Sequence, residues 1–288
     1  MKCVTASIVL LFLSFQVETV RAATAVQFTL VRDYLIVASV AVNSAGAYEF
    51  LLDTGSNTTL VTPEFARQLG LQAIDRIELV TVAGSQAIPR TKLPSLSLGN
   101  KLVKNLEVLV SDLTAVRSVR ATICGVLGQN FLTQFNYLID FQQRRLTLED
   151  DAEMEEKLCG LSLPIELHEG RALLTIQNKW RLVVDSGISM LSFFDATTRR
   201  KELTFTESKL RAMKATSDLG SRTVWHGHLP SFVIGKETFR DLPVALFEMK
   251  PSAAGRVEDG LLPLRLFASI YFNHRKNYLL LNPDRRPL

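Results

Sequence analysis

Two short strings in the 288-residue chain carry an aspartate out of an apolar run and turn sharply straight after it. The first is FLLDTGSNTTLV, from Phe50 to Val61, and the second is LVVDSGISMLSF, from Leu182 to Phe193. One such string alone reads as an Asx-type turn at a strand end. Two can form a single site. If Asp53 and Asp185 sit on equivalent turns of two similar units, a pseudo-two-fold axis brings their carboxylates together, and like charges at short range keep both from ionising. A pair sharing one proton can hold a water, one carboxylate taking its proton while the other donates to a carbonyl oxygen. That chemistry cleaves an amide without metal, cofactor or covalent intermediate. The two groups titrate as a coupled pair, so neither is assigned as acid or base. Gly55 and Gly187 allow the tight turn and leave room for a substrate. Thr54 and Ser186 are small hydroxyls able to hydrogen-bond across the axis.

Three elements repeat in the same order. After each Asp-Thr/Ser-Gly comes a hairpin opened by Leu-Pro-Ser: LPSLSLGNKLVKNLEVLVSD, then LPSFVIGKETFRDLPVALFE. CGVLGQNFL (Cys124 to Leu132) then matches DGLLPLRLF (Asp259 to Phe267). Asp53 lies 72 positions before Gly125 and Asp185 lies 75 before Gly260, so the spacing itself argues for internal duplication.

The elements that must position these residues read as strands and turns. The stretch before Asp53 gives β-rich runs with NSAG as a hairpin turn. TPEFARQLG predicts a short helix, with Pro63 in its first turn and Gly70 at its stop. NYLIDFQQRRLTLE closes the first unit. DDAEMEEKLCG is acidic and has no strand pattern, which predicts a linker or a short exposed helix. LPIELHEGRALLTIQNKWRLVVD then restarts the programme. The expected organisation is a leader over 1–22, a first unit over 23–150, a linker over 151–162 and a second unit over 163–288.

With DTG in one unit and DSG in the other, the chain resembles the aspartic proteases of the pepsin/retropepsin clan over roughly residues 26 to 284. Each unit is short, nearer to a retropepsin-like unit than to a full pepsin lobe. The resemblance implies an all-β, bilobal fold with two related β-barrel-like lobes and a peptide-binding cleft between them. It implies an aspartic-type endopeptidase whose catalytic residues are Asp53 and Asp185, supported by Thr54, Gly55, Ser56, Ser186 and Gly187. It also implies a hairpin flap over the cleft. In the first unit the candidate is LVTVAGSQAIP, with Ala83, Gly84 and Ser85 at its tip; in the second it is SDLGSRT around Gly220. Ser56 is a candidate hydrogen-bond partner of the pair, whereas Ile188 at the matching place cannot be one. No tyrosine lies between Tyr48 and Tyr137, so the flap tyrosine of pepsin-like enzymes is missing, as it is in the retropepsin branch. The other reading is the same fold with a weakened pair, binding peptides or a protein partner without cutting them.

Composition sets the remaining bounds. At 47% hydrophobic and 22% charged residues the chain can fill two modest cores. A net charge of +4 is spread over short basic runs rather than a stripe, so no nucleic-acid partner is expected. Val4 to Phe15 is an apolar run too short to favour a membrane span, and TVRAATA offers small residues for cleavage. That predicts a signal peptide and an exported, secreted or periplasmic monomer with no stable membrane span after cleavage. An uncleaved, membrane-tethered structural protein is a third reading. The first strand begins within a few residues of the predicted cleavage site, which leaves no room for an inhibitory prosegment. Cys124 and Cys159 are expected as unpaired, mostly buried thiols. His226 and His228 could offer two metal ligands but have no third beside them, so neither metal nor cofactor is expected. Trp180 and Trp225 read as core or cleft-wall residues. The expected pH optimum is mildly acidic to neutral.

Overall fold

A computed structural model of the chain describes residues 23–81, 84–150, 153–205, 210–217, 220–248 and 256–285. The leader over 1–22 and the proposed flap residue Ala83 lie outside the described residues. The first half contains β1 (Thr24–Val31), β2 (Leu35–Val42), β3 (Ala45–Leu52), β4 (Thr59–Val61), α1 (Pro63–Gln68), β5 (Asp75–Thr81), β6 (Gly84–Leu98), β7 (Lys101–Val110), α2 (Thr114–Arg117), β8 (Ile123–Leu127), α3 (Gln129–Leu132), β9 (Asn136–Asp140) and β10 (Arg145–Glu149). After α4 (Glu153–Lys157) and β11 (Leu158–Cys159), the second half contains β12 (Ser162–His168), β13 (Arg171–Ile176), β14 (Trp180–Asp185), β15 (Leu191–Phe194), α5 (Ala196–Glu202), β16 (Arg211–Ser217), β17 (Gly220–Ile234), β18 (Glu237–Phe247), β19 (Gly260–Pro263), β20 (Ser269–Asn273), β21 (Tyr278–Leu281) and β22 (Asp284–Arg285). The protein is all-β with a few short helices.

The same pairing pattern occurs twice. β3 runs parallel to β8, β8 antiparallel to β4, and β4 parallel to β7. β14 runs parallel to β19, β19 antiparallel to β15, and β15 parallel to β18. The last residues of β3 and β14 are buried on both faces: Phe50, Leu52, Leu182 and Val184 pack in the main core, and Leu51 and Val183 in separate clusters on the other side. This explains why those stretches are continuously apolar rather than alternating. The Leu-Pro-Ser hairpins are β6–β7 and β17–β18. They turn at Gly99 and Gly235, both at φ +61, a left-handed conformation that favours glycine.

One six-stranded sheet joins the halves, in the order β1–β10–β9–β20–β21–β12. Its centre is the antiparallel pair of Ile139 with Ile270. Both residues are fully buried in the main apolar core, which draws on both halves.

Most local expectations match, and the exceptions have physical causes. α1 starts on Thr62, whose hydroxyl accepts from the Phe65 N–H, and Pro63 sits at its start. The NSAG turn is a two-residue turn at Asn43 and Ser44, both with positive φ, and Gly46 lies within β3. The acidic linker is less exposed than expected: Met154 and Leu158 pack on Tyr271 and Leu280. Glu149 anchors that segment, its carboxylate accepting from the Met154 N–H and the Tyr271 hydroxyl. The linker also ends earlier than residue 162, since Ser162 already pairs in β12. Cys124 and Cys159 are free thiols, but both are half-buried rather than mostly buried. Trp180 is a core residue whose ring meets the Lys179 and Arg199 cations, whereas Trp225 is stacked on Arg200. No helix among the described residues is long and apolar enough to cross a membrane.

Candidate active site

Asp53 follows β3 directly, and its N–H donates to the Leu127 carbonyl at 3.0 Å. Asp185 is the last residue of β14 and lies opposite Pro263. The chain then folds back on each aspartate. The Gly55 N–H donates to Asp53 Oδ1 at 2.9 Å and the Gly187 N–H to Asp185 Oδ1 at 2.6 Å. The threading strands approach closely because each carries glycine at the crossing. A Cβ on Gly125 would overlap the Phe50 ring and the Leu60 carbonyl, and one on Gly260 would overlap the Ser192 carbonyl.

The two turns are locked together by reciprocal hydrogen bonds. The Thr54 hydroxyl donates to the Val184 carbonyl at 2.8 Å and accepts from the Ser186 N–H at 3.0 Å. The Ser186 hydroxyl donates to the Leu52 carbonyl at 2.8 Å and accepts from the Thr54 N–H at 3.0 Å. Both side chains are buried, so these four bonds satisfy groups that water does not reach. The rigid frame fixes the separation of the aspartates.

The carboxyl groups of Asp53 and Asp185 stand side by side: a Cβ on Gly187 would lie 3.1 Å from Asp185 Oδ1 and 3.3 Å from Asp53 Oδ1. The motif glycines face the opposite aspartates: a Cβ on Gly55 would overlap the Asp185 carboxyl, and one on Gly187 would sit 3.3 Å from Asp53 Oδ1. Burial pushes both groups above the usual carboxylate range. Asp185 is raised further by the charge of Asp53, while the Gly187 N–H and the Arg171 guanidinium draw it back down. The Gly55 and Ser56 N–H groups favour the charged form of Asp53. Such an arrangement is able to hold one proton between two carboxylates and to polarise a water and a carbonyl together.

Not every residue proposed from the sequence acts as expected. The Ser56 hydroxyl donates to the Thr58 carbonyl and does not reach the pair, and its backbone N–H donates to the Asp53 main-chain carbonyl at 3.3 Å. Ile188 packs on Leu173, Val183, Phe194 and Leu261. Gly84 and Ser85 begin β6, opposite Thr81 and Val80, so the first candidate flap is a hairpin. The second is also a hairpin, with Gly220 opposite Ser217. His228 engages Asp241, and no set of three or more His, Cys, Asp or Glu side chains among the described residues is placed to hold a metal.

Two residues of the site escaped sequence reasoning. Gln129 is buried, and its side-chain amide donates to the Thr54 carbonyl at 2.9 Å. The signal was a polar residue where the second copy of the repeat has Leu264. Arg171 starts β13 beside Asp185, which only the strand register reveals.

Residues 38–131, about a third of the chain, match a family model described as aspartyl protease. The chain is also similar to the crystal structure of a retropepsin-like aspartic protease from Rickettsia conorii. The likeness is at 21% identity, covers 44% of this chain and 90% of that one, and has a TM-score of 0.32. No curated protein matches the chain.

Proposed function

We propose that this protein is an exported aspartic endopeptidase in which two retropepsin-like lobes of one chain, over 23–150 and 163–288, place Asp53 and Asp185 at a shared site. The observation that carries this reading is that each motif glycine lies against the opposite aspartate's carboxyl, within the reciprocal Thr54–Ser186 frame. The family match over residues 38–131 supports it independently. An extended peptide lies in the cleft between the lobes. The carboxylate takes a proton from a bound water as that water attacks the scissile carbonyl. The protonated partner donates to the carbonyl oxygen, and the resulting tetrahedral species collapses as the amine leaves with a proton. The proton belongs to the pair rather than to one residue.

Activity needs the singly protonated pair, and it is lost as pH rises through the upper of the two pKa values. Burial raises that value, so cleavage extends above the ordinary carboxylate range. The test is digestion of a mixed peptide library from pH 3 to 8 by wild type, Asp53→Asn and Asp185→Asn, read by mass spectrometry. Loss of at least about 10⁴-fold in both variants is expected, as for residues acting as one unit. Cleavage that persists in both variants rules the pair out. Peptide binding without cleavage at any pH supports the second reading, a binding module.

A further inference from the structure

The two halves differ in what faces each aspartate. In the first half, β2 and β3 pair Ile36 with Leu52, and the same register places Leu35 across from Asp53. Leu35 belongs to an apolar cluster with Leu51, Leu60 and Val126. In the second half, β13 and β14 pair Leu173 with Val183, and the same register places Arg171 across from Asp185. Alternate residues of a strand share a face, so Arg171, Leu173, Val183 and Asp185 point the same way. A guanidinium thus stands where the other half has a leucine.

This guanidinium is held by a buried carboxylate and stays partly exposed. Glu258, with a side chain only 2% exposed, takes Arg171 at 3.4 Å and Arg256 at 2.8 Å. Two cations therefore share one buried carboxylate. Glu169 lies 3.9 Å from Arg171, but it is 59% exposed and accepts from the Asn57 side-chain amide, so water screens it. That same Asn57 contact seats the turn before Arg171 against the loop that follows Asp53. The Arg171 side chain keeps 15% of its surface exposed, although its Nε is itself buried and has no acceptor among the described residues. A planar guanidinium that keeps part of its surface exposed suits a carboxylate.

We infer that the cleft reads an acidic side chain: peptides cut by this protein present Asp or Glu to Arg171 on the second-half side, and an apolar side chain to the Leu35 cluster on the first-half side. The inference rests on the proposed peptidase reading and names its substrate class.

The test is library cleavage by wild type, Arg171→Leu and Arg171→Lys, followed by kcat/KM on matched peptides with Glu, Gln or Leu at the selected position. Wild type is expected to prefer Glu over Gln about ten-fold or more, the worth of a hydrogen bond to a charged group. Arg171→Leu loses that preference and turns to Leu, becoming like the first half, while Arg171→Lys keeps it. Wild-type cleavage without an acidic preference overturns the inference and leaves the Asp53–Asp185 pair standing. So does a uniform loss on all peptides in Arg171→Leu with the preference unchanged, which marks a structural role. If wild type cuts nothing, the peptidase reading fails. Calorimetric binding of reduced-bond peptides bearing Glu or Gln then decides the inference alone, and equal affinities overturn it.

Discussion

At the scale of single residues, the site depends on two hydroxyls as much as on two carboxyls. Thr54 and Ser186 each donate to a carbonyl of the other half and accept an N–H from it. Removing one hydroxyl strands a buried carbonyl and a buried N–H, each costing about 1–3 kcal/mol. Thr54→Ala is therefore expected to lower unfolding free energy by about 2–4 kcal/mol in urea titrations, and to reduce cleavage through lost alignment. Thr54→Ser keeps the oxygen and should recover most of both quantities. Equal behaviour of Ala and Ser variants would assign the effect to the lost methyl group. The aspartates follow a different logic. Their folded-state pKa values are raised, so their ionisation opposes folding as pH rises from the ordinary carboxylate range through the raised values.

At the scale of elements, the crossing of three strands behind each aspartate tolerates no side chain at two points. β8 and β19 each lie between a parallel neighbour and an antiparallel one. Gly260 sits against the Ser192 carbonyl, a backbone atom that cannot rotate aside. Gly260→Ala is expected to cost about 3 kcal/mol or more, by forcing β15 and β19 apart. Denaturant midpoints test this, and a loss under 1 kcal/mol would mean that the strands shift freely. An alanine at Gly70 offers a contrast, because no atom lies near its Cβ and only its positive φ resists substitution.

At the scale of the whole molecule, the sheet joining the halves contains a group that titrates against folding in acid. His274 is buried beside Tyr137 and Phe272, and neither ring nitrogen has a partner among the described residues. Burial lowers its pKa from 6.5 to about 4. Between those values the unfolded chain binds the extra proton, so stability falls as pH drops through that window, by about 3 kcal/mol in total. The equivalent place in the first half holds Phe141: Asp140 and Asn273 make the same turn, accepting from the Gln143 and Lys276 N–H groups respectively. His274→Phe is expected to flatten the acid limb of stability between pH 6.5 and 4, measured by urea unfolding at several pH values. An unchanged limb would place the acid sensitivity elsewhere.

Much of this was legible in the chain itself. Apolar runs ending in Asp-Thr-Gly and Asp-Ser-Gly, repeated at matched spacing with a glycine-bearing strand behind each, specify the strands, the hairpins and the pair of carboxylates. Those features are local: each rests on residue type, periodicity or turn chemistry within a short stretch. Contacts between distant residues were not legible. The Ser56 hydroxyl turned to Thr58 because that carbonyl is two residues away, and no motif records such competition. Gln129 reaches Thr54 across 75 positions, and Arg171 faces Asp185 only because the turn over residues 177–179 sets the register of β13 on β14. A change of one residue in that turn would send Arg171 to the opposite face. The sequence by itself determined that two aspartates would emerge from equivalent strands. Tertiary structure alone decided which side chains face them, because strand register and the packing of one half on the other are properties of the assembled sheet.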